Sequence, residues 1–186
     1  MTLVPAPNNA LALRGSVLPT AIPWDILDLL VRYTLVRCTG RIDGGWTVLD
    51  LTSLALAVEG LERSLAVAAG LDGIPGATSD LRRTVRSGVI QDFEVAYELA
   101  WKFIQRWIRD NRTPEDADHP RTRKELFRMA ARFALIGDPV PWFEYGDARN
   151  LTAHTYDEAT AGRVVAVAGR FVGDARVLLE RLSTSQ

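Results

Sequence analysis

At 186 residues, with 47% apolar and 24% charged residues, the chain has the size of one domain with an appendage and the balance of a folded globular protein, which excludes a disordered one. Asp25, Asp28 and Arg32 interrupt the most apolar early segment, so no run approaches the roughly twenty residues of a membrane span. A net charge of −1 excludes a general attraction to nucleic acid and confines any RNA contact to a local patch.

Residues 1–48 begin "MTLVPAPNNALALRG", without the basic start and unbroken apolar stretch of a secretion signal. The single cysteine, Cys38, allows no internal disulfide and argues against a cysteine-based metal site, so a cytoplasmic location is expected. This extension holds several prolines and glycines and one expected short helix over 24–37, opened by Pro23. It reads either as a docking arm or as leader sequence from an over-extended start. Of the 22 basic residues 20 are arginine, whose planar fork suits phosphate, although a GC-rich genome gives the same bias.

From Leu51 the apolar residues step by three and four, the signature of a helix buried along one stripe. Leu51, Leu54, Val58, Leu61, Leu65 and Ala68 form the first register, broken by "GLDGIPGATSD". Val89, Phe93, Ala96, Ala100, Phe103 and Trp107 form the second, with Thr78, Ser79 and Asp80 as candidate N-caps and an end near Asn111. After the loop "NRTPEDADHPRT", Leu126, Ala130 and Phe133 mark a third helix stopped by Gly137 and Pro139, and a fourth covers about 140–154. Val164, Ala168, Phe171, Ala175, Leu178 and Leu182 form the last, its start marked by the T-x-x-E spacing of Thr155 and Glu158, a capping box. Residues 49–183 are therefore expected to form an all-α, up-and-down bundle of four or five helices.

The residues with chemistry to offer concentrate in "RNLTAHTY". Arg149 and His154 are five apart, so a straight helix would point them about 140° away from each other. A new helix starting after His154 would instead free the imidazole to turn toward Arg149. A guanidinium can hold a phosphate through two charge-assisted hydrogen bonds, and a histidine can move a proton at neutral pH, a combination able to cut RNA without a metal. A single histidine is a modest catalyst, so a second copy from a dimer partner is expected to contribute. The spacing by itself is weak, since most such pairs are a helix-end arginine tied to a carboxylate and a histidine packed at a turn.

Glu94, Glu98 and Lys102 form a polar stripe on the second helix beside Phe93, Tyr97 and Trp101. Two glutamates stacked at i, i+4 repel unless water covers them or a cation sits between them, and Arg149 is the expected cation. The stripe reads either as a solvated face with a Glu98–Lys102 pair or as carboxylates that orient Arg149 or His154. Trp101 and Trp107 are expected in the core or a dimer contact, and His119 in a solvated loop. No set of residues has metal-ligand spacing, so no metal is expected.

The block "SGVIQDFEVAYELAWKFIQRWI", 87–108, followed by "DARNLTAHTYDEATA", 147–161, resembles the nucleotidyltransferase substrate-binding family of the HEPN group. The resemblance covers about residues 49–183. It implies a four-helix bundle, usually dimeric, encoded beside a minimal nucleotidyltransferase. It also implies that Arg149 and His154 occupy the R-x4-6-H motif of HEPN ribonucleases, with Asn150 as its polar neighbour. Tyr156 then completes the R-x4-H-x-Y form of toxin–antitoxin members, in which the partner enzyme silences the toxin by adding AMP to the tyrosine. Two functions follow from the resemblance: an RNA-cleaving toxin, or a non-catalytic subunit that holds a nucleotide for its partner. No cofactor is implied beyond AMP, attached or bound. Gly15 and Ser16 followed by Asp25 and Asp28 resemble a nucleotidyltransferase motif, but the aspartates are three apart instead of two and too little chain surrounds them for a catalytic palm, so no transferase activity is expected.

Overall fold

A computed structural model describes residues 49–71, 73–111, 120–152 and 157–185. The expectations for residues 1–48 and for His119, His154, Thr155 and Tyr156 lie outside the described residues. Within them the chain is all-α, five helices packed as a bundle: α1 Thr52–Leu71, α2 Ser79–Asp110, α3 Arg123–Arg132, α4 Val140–Leu151 and α5 Glu158–Thr184. No helix among the described residues is long and apolar enough to cross a membrane.

Most of these helices begin where a side chain can accept a backbone N–H that the helix itself leaves without a partner. Asp50 accepts from the Thr52 amide at 2.9 Å, and Thr78, one of three candidate caps for α2, accepts from Leu81 at 3.2 Å. At α3, Thr122 accepts from the Glu125 amide at 3.2 Å while the Glu125 carboxylate reaches back to the Arg121 amide at 2.8 Å, a reciprocal pair that the apolar spacing does not reveal.

Two boundaries differ from expectation. The capping box placed on Thr155 and Glu158 gives way to Asp157, whose carboxylate accepts from both the amide of Thr160 at 2.9 Å and its hydroxyl at 2.6 Å. A carboxylate here answers both the free amide and the positive end of the helix dipole, which favours Asp157 as the cap. At α3 the helix stops at Arg132, well before Gly137. The cause is Ala134, in the left-handed region at φ 57°, with Leu135 N–H bonded to Ala130 C=O and Ala134 N–H to Ala131 C=O. This is a Schellman ending made without glycine. Arg181 of α5 donates to the Ala134 carbonyl at 2.7 Å and ties the turn to the bundle.

The buried stripes are the ones the spacing marks: Leu54, Val58 and Leu61 on α1, Val89 to Trp107 on α2, and Val164 to Leu182 on α5. Helix α1 packs along α2, and α5 packs against α1, α2 and α4. At the centre Phe171 of α5 meets four aromatic rings edge-on, Phe93, Tyr97, Trp142 and Tyr145, at centroid distances of 5.3 to 6.1 Å. Trp107 belongs to this core, whereas Trp101 is only partly buried and faces a cluster of charge.

Candidate functional site

The charge cluster is assembled from three helices. Helix α2 contributes Glu94 and Glu98, one turn apart and 6% and 9% exposed, so the stripe is buried and not a solvated face. Helix α4 contributes Arg149 from its last turn, and α3 contributes Arg123 from its first.

Glu98 is the hub. Its Oε1 lies 3.0 Å from Nη2 of Arg149 and accepts a hydrogen bond from Nη2 of Arg123 at 3.2 Å. Its Oε2 accepts from the indole N–H of Trp101 at 2.9 Å and sits 4.0 Å from Nζ of Lys102. A buried carboxylate needs charged partners and hydrogen bonds to offset its lost hydration, and Glu98 has both. The guanidinium of Arg123 also stacks over the Trp101 ring at 4.7 Å.

Glu94 holds the end of α4. Its carboxyl is hydrogen-bonded to the Thr152 hydroxyl, which also lies 2.7 Å from the carbonyl of Arg149. Burial pushes the Glu94 carboxyl above its usual range; the Thr152 hydroxyl and the charge of Arg149 oppose the shift, and Glu98 adds to it. The Thr152 hydroxyl thus lies between the Glu94 carboxyl on α2 and the Arg149 carbonyl on α4, and links the two helices.

The raised pKa has a direct consequence for stability. The folded chain binds this proton more tightly than the unfolded chain, so the stabilisation is full below the ordinary value of 4.5 and is lost as pH rises through the elevated folded value. Glu94→Gln carries a permanent donor to Thr152 and removes that titration. Its urea midpoint is expected to stay level across the window in which the wild-type midpoint falls.

Close packing positions α4 over α2. A Cβ at Gly146 would lie 2.8 Å from the hydroxyl of Tyr97, which is buried and whose ionisation is pushed up to about 12 by that burial. One turn beyond this approach Arg149 reaches Glu98, its side chain 21% exposed, while Asn150 is more open to solvent than Ala148 or Arg149's buried partner Glu98.

A family model for "Nucleotidyltransferase substrate binding protein like" matches residues 49–184, which is most of the chain. The chain belongs to the nucleotidyltransferase substrate-binding protein family. Within it, the chain is 34% identical over 134 residues to "Probable ribonuclease HepT" of Haemophilus influenzae, covering 72% of this chain and 92% of that protein. It is also similar to the solved structure of HI0074 from Haemophilus influenzae, described as revealing the fold of a substrate-binding domain of a nucleotidyltransferase. The TM-score is 0.65 at 35% identity, over 71% of this chain and 98% of that one.

The family resemblance pointed to Arg149, Asn150, His154 and Tyr156, and the residue pattern to Glu94, Glu98 and Lys102. Arg149, Glu94, Glu98 and Lys102 meet in one cluster, Asn150 is the next residue along α4, and His154 and Tyr156 lie outside the described residues. Two further members of the cluster, Thr152 and Arg123, have no such signal in the sequence. Thr152 sits three residues after Arg149, a spacing that brings its hydroxyl back to that carbonyl. Arg123 follows the Thr122 cap of α3, and the run "RTRKEL" marks a basic helix start without indicating what it faces.

Proposed function

We propose that this protein is a HEPN-type ribonuclease, the toxin of a pair whose antitoxin is a separately encoded minimal nucleotidyltransferase. The observation that carries this reading is Arg149, anchored on a buried carboxylate at the end of α4 and five positions before His154. The likeness to a protein named as a probable ribonuclease supports it.

The chemistry follows from the two side chains. Arg149 holds the scissile phosphodiester, and its fork offsets the charge that builds on the phosphate oxygens. His154 takes the proton of the 2′-hydroxyl, whose oxygen attacks the adjacent phosphorus. The bond from phosphorus to the 5′-oxygen breaks, and that oxygen takes a proton from the imidazolium of a second copy in a homodimer. The products are a 2′,3′-cyclic phosphate and a 5′-hydroxyl, with no metal needed to balance the step. Asn150 positions the pair. The partner enzyme silences the toxin by transferring AMP from ATP to the Tyr156 hydroxyl: the phenolic oxygen bonds to the α-phosphorus, the bond from that phosphorus to the bridging oxygen breaks, and pyrophosphate leaves. Glu98 orients Arg149, with Lys102 beside it, and Glu94 fixes the helix end that carries it.

His154→Ala tests the reading. Expression of the wild-type chain is expected to arrest growth and degrade cellular RNA, and the variant to do neither while keeping its fold and oligomeric state. Unchanged RNA degradation by the variant would refute the assignment. The second reading, a non-catalytic subunit that holds a nucleotide for its partner, draws on the description of HI0074 as a substrate-binding domain. Nucleotide binding without RNA cleavage in the wild-type chain would favour it.

A further inference from the structure

The net charge of the chain is −1, yet α3, "RKELFRMAAR", carries four basic residues and one acid. That acid, Glu125, is turned back onto the Arg121 amide at the helix start. Lys124, Arg128 and Arg132 are all exposed, at successive four-residue steps, so they line one face of the helix. Lys124 and Arg128 both lie over the Phe143 ring of α4, at 5.7 and 5.3 Å.

The same helix places Arg123 in the cluster around Glu98. Arg123 and Arg149 approach a single carboxylate oxygen from two different helices, with Lys102 near the other oxygen. Three cations therefore surround one carboxylate, and the burial of Glu94 favours its uncharged form. Of the three, Arg123 is the most exposed, with 39% of its side chain open against 21% for Arg149 and 15% for Lys102.

We infer that α3 is the surface that tracks the RNA backbone: Arg123 shares a phosphate with Arg149, and Lys124, Arg128 and Arg132 hold phosphates that flank it. A polynucleotide suits this face better than a lone nucleotide, because a row of cations spaced along a helix matches repeated charge and leads into the cluster. An acidic protein would meet the same row, but it would have no use for the converging pair of guanidiniums at its end, a geometry suited to a tetrahedral oxyanion.

The inference rests on the ribonuclease reading, and its test separates the two. The full-length His154→Ala protein is titrated with a short single-stranded RNA between 50 and 200 mM salt. The affinity is compared with that of the same protein carrying Lys124→Gln, Arg128→Gln and Arg132→Gln, and with a separate Arg123→Gln protein. For a single strand, each phosphate that is no longer neutralised lowers the slope of log affinity against log salt by about 0.7, so the triple change is expected to lower it by about 2 and Arg123→Gln by about 0.7. Arg63→Gln, on the exposed side of α1, serves as the control and is expected to leave the slope unchanged. RNA binding with the same slope in the α3 variants would overturn the inference while leaving the ribonuclease reading intact. Unaltered RNA binding together with lost binding of polyglutamate would also overturn it and make α3 a protein-docking face. Absence of RNA binding and cleavage in all forms would overturn both.

Discussion

Phe171→Ala is expected to lower the unfolding free energy by about 3–5 kcal/mol, the range for removing a large aromatic ring from a core that cannot fully collapse around the space. Phe171 has no exposure, and the rings around it come from α2 and α4, so the gap would open where three helices meet. The edge-on arrangement of these rings adds to the lost burial, since such pairs contribute beyond the area they cover. Small residues on its own helix, Ala168 and Ala175, are too short to fill the space. Urea unfolding followed by circular dichroism checks the result: the midpoint is expected to fall with little change in slope. A loss below about 1 kcal/mol would mean that the core repacks around the site.

Arg149→Ala is expected to lower the rate of RNA cleavage per folded molecule by about 10²–10³, the usual cost of deleting one positioned donor to transition-state charge. The expectation follows from the proposed ribonuclease chemistry. Arg149→Lys keeps the charge but loses the fork, so it is expected to recover only a small part of the rate. Folding and activity can be separated here because Glu98 would still have Arg123 and Trp101 as partners. A variant with a near-wild-type thermal midpoint and full cleavage would remove Arg149 from the chemistry and leave it a structural ion pair.

The bundle is legible in the sequence wherever one stripe of a helix is buried. The register from Val89 to Trp107 is found in the fold position for position, because a period near 3.6 leaves no other face for the core. The helix ends are less legible, since several residues can satisfy the same free amides. Thr155 with Glu158 and Asp157 with Thr160 both have capping patterns, and only the placed carboxylate separates them. The end of α3 is hidden because alanine at a left-handed position carries no signature, whereas the glycine and proline downstream do.

The site is legible in proportion to how local its interactions are. Two stacked glutamates on one face repel unless water covers them or a cation sits between them, and that together with the family motif makes Arg149 the expected cation. Arg123 is invisible for the opposite reason. It reaches Glu98 from 25 residues further along the chain and from a different helix, and no periodicity couples the two. Thr152 falls between these cases: its bond to the Arg149 carbonyl is local, but its bond to Glu94 spans 58 residues.

The hydrogen atom that serves as the side chain of Gly146 governs the alignment of two helices. Sliding α4 along α2 by one turn, about 5.4 Å, would drive a larger residue into the space the Tyr97 phenol now occupies, and α4 has no other glycine to offer. Only one register lets the pair lie so close, and in that register Arg149 falls opposite Glu98. The aim of the guanidinium is thus fixed by a steric stop one turn away, apart from any attraction between the charges themselves.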